Sequence, residues 1–302
     1  MIAASHPRGT CTRVRQRSRP GCDTVFAVRW HLFVVLLGTA LLGGCSGGGG
    51  AAAPAPSSVA ATSAAAPPSS SAPAPAPSSS SPAPSPVAHN LVVVIDPGHN
   101  GGNASNPGII NKQVPAGRGR TKPCNTTGTA TNGGYTEHAF TWDVARRVGA
   151  KLTERGIRVV YTRADDNGVG PCVDKRAEIG NEANAAAVVS IHADGSTSAG
   201  AHGFHVAYSS PALNAAQGEP SMSLARTLRD ALRETFPVSN YLGNDGLAPR
   251  DDLAGLNLST RPAALIECGN MRNSAEAAEM STSDGRQRYA DSIAAGILSY
   301  LG

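Results

Sequence analysis

The stretch Val92-Val93-Val94-Ile95-Asp96-Pro97-Gly98-His99 decides how the rest of the chain is read. Four β-branched residues in a row predict a strand buried on both faces, as in the interior of a parallel sheet. Asp-Pro-Gly then turns the chain outward, and an imidazole stands at the tip. Working outward, 156–162 and 187–191 predict two more strands, 203–208 alternates as a fourth, and 263–266 reads as another buried one. The apolar run at 253–258 is expected to be a further short strand. Between them, Phe140, Val144, Val148 and Leu152 recur every four residues and predict a helix over 137–155, ended by Gly156. Further helices are expected over 174–185, 221–235 and 285–301. This alternation predicts an α/β fold: a single domain with a mostly parallel (mixed) central sheet of about six strands and helices on both faces.

That domain occupies 89–302. Residues 46–88 carry no charged side chain and hold 10 of the 22 prolines, a composition with too little apolar surface to offset the entropy of ordering. They are expected to form an extended tether. Ahead of them, an arginine-rich segment precedes an apolar run at 30–44, which reads as an export signal occupying 1–45. At about 15 residues the run is short for a membrane-spanning helix, which needs about 20. It ends Leu42-Gly43-Gly44-Cys45, which resembles the bacterial lipobox, so Cys45 is the expected lipidation site and membrane anchor; plain signal cleavage is the alternative. Either route predicts an exported protein at the outer face of the membrane or in the cell wall.

The formal charge of +4 belongs to the N-terminus. Six of the 26 basic residues and one of the 22 acids precede residue 90, leaving 20 and 21, a net charge of −1. A basic nucleic-acid face on the folded domain is therefore not expected. Cys124 and Cys172 sit in polar loops, and in an oxidising compartment they are expected to pair. Cys268 follows an apolar strand and reads as a small buried side chain.

Three predicted strands end in groups that bind metal or move protons: His99, His192 after Ser190-Ile191, and Glu267 after Leu265-Ile266. In open α/β sheets the carboxyl ends of the strands converge on one crevice. Glu137 opens a helix beside the glycine-rich stretch 100–135. Two imidazoles and a carboxylate can hold a catalytic zinc with one open position, leaving the second carboxylate as a base. On pattern alone the alternatives stay open: a strand-end histidine is as often a turn residue, and a helix-start glutamate often only complements the helix dipole.

In order along the chain come Val-Val-Ile-Asp-Pro-Gly-His99, Glu137 at a helix start, Gly-Ile-Arg-Val-Val-Tyr-Thr-Arg163 with Asp165-Asp166, Ser-Ile-His192-Ala-Asp194, and Arg261-Pro-Ala-Ala-Leu-Ile-Glu267-Cys-Gly-Asn270. This set resembles the zinc-dependent N-acetylmuramoyl-L-alanine amidases of the bacterial cell wall across 90–301. It is most similar to secreted mycobacterial members that lack a wall-binding module and carry a disulfide-pinned loop. The resemblance implies zinc held by His99, Glu137 and His192. It implies Glu267 as the catalytic base for the water that attacks the amide between muramic acid and L-alanine. Peptidoglycan or its muropeptides would be the partner; the sequence leaves the oligomeric state open, with a monomer expected.

The surrounding residues read less sharply. Asp96 could orient His99 or merely start the turn. The family commonly has a small or amide residue where Asp194 stands, so Asp194 could shape the substrate pocket. Arg163 and Arg176 could receive a peptide carboxylate, against a reading as solvated charge. His138, His202 and His205 are read as surface or core histidines. The 100–135 segment, basic at Arg118, Arg120 and Lys122, is expected to border the cleft as a flap, against a reading as a surface insertion that only adds stability. Two other functions share the scaffold: a zinc peptidase acting within the stem peptide, and a non-catalytic wall-binding lipoprotein.

Overall fold

The computed structural model describes residues 91–302; the expected signal, Cys45 and the tether lie outside the described residues. A six-stranded sheet forms the centre. It comprises β1 (Val92–Pro97), β4 (Arg158–Tyr161), β5 (Ala187–Asp194), β6 (His205–Ser209), β7 (Leu247–Arg250) and β8 (Ala263–Asn270), ordered β4-β1-β5-β8-β6-β7. β4, β1, β5 and β8 run parallel, while β6 is antiparallel to β8 and carries β7 alongside it. The expected mixed, mostly parallel sheet is observed.

Helices cover both faces. On one face lie α2 (Glu137–Glu154), α4 (Glu219–Arg233) and α7 (Ser283–Leu301). There Val93, Ile95, Val189 and Ile191 meet Phe140, Val144, Val148 and Leu152, all with no exposed surface. The four-residue stripe read in the sequence is thus the buried face of α2. Gly156, with φ +78°, ends this helix in the left-handed conformation that glycine adopts without strain. The opposite face of the sheet, with Val94 and Val188, is covered by α3 (Val173–Glu182) against β1 and the short α5 (Ala254–Asn257) against β8 and β6.

One expectation is corrected. The 253–258 run is not a strand: it holds the single-turn helix α5, and the sheet edge is completed by β7, whose Pro249 hides the strand signal. The 100–135 segment is structured, with a one-turn helix α1 (Pro107–Ile110) and an antiparallel hairpin of β2 (Gln113–Gly117) and β3 (Arg120–Pro123). A further helix α6 (Ser274–Ser281), unforeseen in the sequence, precedes α7. Cys124 and Cys172 are joined by a disulfide that ties the hairpin to the start of α3. Cys268 is free and buried. Among the described residues no helix is long and apolar enough to cross a membrane.

Candidate metal centre

The parallel register brings the chemistry together. β1 pairs with β5 through Pro97 and Ile191, and Gly98 extends that ladder by donating its N–H to the Ile191 carbonyl at 2.9 Å. One strand over, His192 stands directly opposite Glu267. His99, His192 and Glu267 therefore meet at one edge of the sheet although they are far apart in sequence. Glu137 enters from the first turn of α2.

His99, Glu137 and His192 each offer a ligand atom, all within 4.8 Å of one another, and they are the one such group among the described residues. Glu137 Oε1 lies 3.1 Å from His99 Nε2 and 3.0 Å from His192 Nδ1, and it also accepts the Ala193 N–H at 3.1 Å. Its other oxygen accepts the Thr129 N–H at 2.9 Å. Burial raises the pKa of this carboxyl, yet the two histidines overcome burial and hold it well below the usual carboxylate range. Burial lowers the His99 pKa, but Glu137 and the Thr126 carbonyl raise it further, so the net shift is upward. His99 Nδ1 lies 3.0 Å from that carbonyl, an acceptor for a proton on Nδ1, and Nε2 is the ring nitrogen that faces Glu137.

Glu267 is of a different kind. Its Oε2 is buried with no hydrogen-bond partner. Burial drives its pKa well above the ordinary value; the charges of Asp194 and Glu137 add to this, and Arg250 opposes it. An unpartnered carboxyl held as a proton carrier beside two imidazoles has the chemistry of a general acid–base. The donor set of two imidazole nitrogens and one carboxylate oxygen, with a free carboxyl next to it, fits a zinc ion with an open position.

The supporting residues explain how His99 reaches this place. It sits in the left-handed region at φ 60°, which is uncommon outside glycine. Two buried arginines hold the turn. Arg176 donates to Asp96 Oδ1 at 2.8 Å and to the carbonyls of Pro97 at 2.6 Å, His99 at 2.7 Å and Pro171 at 3.0 Å. Arg163 donates to the carbonyls of Pro97 at 3.0 Å and His138 at 2.9 Å, and to Asp166 Oδ1 at 2.9 Å. At 3 % and 4 % exposure, Arg163 and Arg176 cannot receive a peptide carboxylate. That expectation is corrected: their guanidinium donors are spent on backbone carbonyls and on the carboxylates of Asp96 and Asp166. Asp96 likewise does not orient His99. Its oxygens accept from Arg176, from Thr162 at 2.6 Å and from Ser190 at 2.6 Å.

The remaining candidates lie to either side. Asp194 accepts the Tyr241 hydroxyl at 2.8 Å and lies 3.6 Å from the buried His205. His138 pairs with Asp166 at 2.7 Å, away from the metal group, and His202 contacts the Gly200 carbonyl. Gly98 was legible only as part of the Asp-Pro-Gly turn. Its role is close approach, because a Cβ there would collide with the His192 ring. Thr129 acts through its main-chain N–H and Thr126 through its carbonyl as well as its hydroxyl, 3.2 Å from His99 Nδ1; main-chain contacts leave no side-chain signal in a sequence.

Comparison with known proteins supplies independent findings. Residues 93–299 match the Amidase_3 family, described as N-acetylmuramoyl-L-alanine amidase. An N-acetylmuramoyl-L-alanine amidase of Mycobacterium tuberculosis is 50% identical over 212 residues, covering 70% of this chain and 86% of that protein. The crystal structure of the amidase Ami1 from Mycobacterium smegmatis is similar at a TM-score of 0.68 with 51% identity, covering 70% of this chain and 97% of that one. The apo form of Ami1 from Mycobacterium abscessus gives a TM-score of 0.68 with 53% identity, covering 70% and 99%.

Proposed function

The chain belongs to the Amidase_3 family of N-acetylmuramoyl-L-alanine amidases, peptidoglycan hydrolases, and from that premise we propose that it cleaves the amide between muramic acid and L-alanine at the His99–Glu137–His192 centre with zinc as cofactor. The observation that carries the reading is the convergence of those three donors beside the unpartnered carboxyl of Glu267. Zinc held by His99 Nε2, Glu137 Oε1 and His192 Nδ1 would supply an acidified water and a polarised amide carbonyl.

The chain's own residues do the rest. In its ionised form Glu267 takes a proton from the attacking water at its free oxygen. It returns a proton to the L-alanine nitrogen as the carbon–nitrogen bond breaks, so the muramic lactyl group leaves as a carboxylate and the peptide as an amine. Thr126 keeps His99 in the tautomer that presents Nε2, and Arg163 and Arg176 hold the turn that carries it. The same reading places the enzyme outside the cytoplasm, exported by the 1–45 signal, anchored through a lipid at Cys45 and spaced from the membrane by the 46–88 tether. The 89–302 domain then works on the wall.

The test is incubation of the zinc-loaded full chain with a muramyl dipeptide and a muramyl tripeptide, with products identified by mass. Free peptide beginning with L-alanine is the expected product. Cleavage between amino acids would replace this reading with a stem-peptide peptidase. No turnover by a protein that still binds the muropeptide would make it a wall-binding protein.

A further inference from the structure

The cleft roofed by the β2–β3 hairpin, bounded by His99, His192 and Lys122, lies on the α3 and α5 side of the sheet. A second space lies along the outer face of α2, and none of the three metal donors lines it. It is a groove of about 540 Å³ lined from Tyr135 to Ala150. Ala139, Trp142, Arg146 and Ala150 recur at three- and four-residue spacing, so they share one stripe of the helix. At about 1.5 Å per residue, the stretch from Ala139 to Ala150 runs for roughly 16 Å. Arg146 and Ala150 are exposed, so the groove is open to solvent. Its near end belongs to the scaffold of the metal centre. Tyr135 sits in a tight turn: its carbonyl accepts the Thr131 N–H at 2.9 Å, and its N–H donates to Thr131 Oγ1 at 3.0 Å. The same turn carries Thr129, whose carbonyl accepts the Glu137 N–H at 2.9 Å and whose own N–H donates to the Glu137 carboxylate. The groove therefore begins two residues from a metal donor, on a segment bonded to that donor.

Its chemistry narrows the occupant. Two aromatic rings, Tyr135 and Trp142, line the groove beside two alanines, a surface on which the apolar face of a sugar can stack. No long aliphatic side chain lines it, so an acyl chain or an amphipathic helix would bury little there. Its two carboxylates, Asp143 and Asp166, are paired with Arg147 and Arg163, which leaves too little positive charge to draw a polyanion. Two donors remain unspent. The Arg146 guanidinium lies 6.0 Å from the Trp142 ring, and neither it nor the Trp142 indole N–H makes a hydrogen bond among the described residues. Unspent donors beside aromatic rings suit a neutral ligand with apolar faces and many acceptors. A chain of N-acetylated sugars has both: C–H faces on its rings, and hydroxyls and acetamido carbonyls along its edges. A polymer can also lie lengthwise in an open groove and continue past both ends.

We propose that this groove binds the glycan strand of peptidoglycan, with N-acetylated sugars against Tyr135 and Trp142 and the Arg146 guanidinium on an acetamido carbonyl. The proposal rests on the amidase reading above for the identity of the polymer. The catalytic domain then carries its own grip on the wall, on the helix that supplies Glu137.

Trp30 and Trp142 are the chain's two tryptophans, so Trp30→Phe leaves Trp142 as the one indole reporter. In that full chain, titration with chitotetraose, an uncharged chain of N-acetylglucosamine, is expected to change the Trp142 fluorescence saturably. Cellotetraose, which lacks the acetamido groups, is expected to bind at least about fivefold more weakly, and Arg146→Ala to weaken chitotetraose binding by about the same factor. Ala150→Arg, at an exposed helix position, fills the groove and is expected to abolish the response. In turnover by the zinc-loaded chain, Ala150→Arg should raise KM about fivefold on uncross-linked glycan strands that bear stem peptides. KM and kcat on muramyl dipeptide, which has no neighbouring sugar, should not change, a split that a folding defect would not produce. No fluorescence change up to millimolar chitotetraose overturns the proposal. So does equal affinity for cellotetraose, a response that persists in Ala150→Arg, or a KM rise equal on both substrates. Release of no L-alanyl peptide from either substrate by wild type, with chitotetraose still bound, faults the amidase reading and leaves the groove standing.

Discussion

Glu267 and Asp96 are carboxyls of one sheet with opposite electrostatics, and the contrast explains what each does. Glu267 has an oxygen with no partner, and burial followed by the charges of Asp194 and Glu137 keeps its pKa high. Replacing it with Gln keeps shape and removes the proton carrier, so Glu267→Gln should lower kcat by about 10²–10⁴. Zinc content, read by atomic absorption, should be unchanged, because Glu267 is not among the three converging donors. For Asp96, burial pushes the pKa up, but the Arg176 guanidinium and the Ser190 and Thr162 hydroxyls outweigh it and hold the value at about 2. A depressed carboxyl stabilises the fold above its unfolded pKa and loses that contribution as pH falls through the folded one. We therefore expect roughly 2 kcal/mol of stability to disappear between about pH 4 and pH 2, read by denaturant melts across that window. Asp96→Asn should flatten this pH dependence while lowering stability at neutral pH, because Arg176 is left buried without its carboxylate. Glu267 was legible in the sequence because it ends an apolar run. The partners of Asp96 were not, because Thr162, Arg176 and Ser190 come from three other elements.

At the scale of elements, the hairpin is the part of the cleft that pattern could not resolve. Its strands are short, polar and interrupted by Pro115, so they carry neither alternation nor β-branched enrichment. They hold together through tertiary contacts: the disulfide to α3, and the Arg118 and Asn257 contacts that join the hairpin to α5 and β6. Cutting the crosslink with Cys124→Ser/Cys172→Ser should cost about 2–4 kcal/mol of stability, since it closes a loop of about 48 residues. The same variant should raise KM, measured on a muramyl dipeptide, by loosening the roof over the cleft; if neither stability nor turnover changes, the hairpin has no part in substrate selection. α5 was mistaken for a strand for a definite reason. Six largely apolar residues at 253–258 are too few for periodicity to tell a helical turn from a strand. α2, with its long and regular stripe, was legible throughout.

At the scale of the whole molecule, the proposed assembly is an anchored enzyme: lipid at Cys45, an uncharged tether over 46–88, and a catalytic domain that carries no net basic charge. On that proposal, 43 residues of this composition would reach roughly 35–40 Å if they behaved as a loose coil. Cys45→Ala should therefore move the protein from the membrane fraction to the medium or soluble wall fraction without changing turnover on soluble muropeptides, checked by fractionation and metabolic lipid labelling. What the sequence determined by itself is the local grammar of this protein: which runs are buried strands, which stripe faces a core, and which polar residues stand at strand ends. Those features follow from side-chain chemistry repeated at short range. What only the tertiary structure decided is who meets whom. Strand order and register set His192 opposite Glu267 and bring Glu137 against both histidines. Two arginines that looked like substrate contacts became the buried clamp on the His99 turn, because unpaired carbonyls at the end of a strand need donors and nothing in a linear sequence says where these will come from.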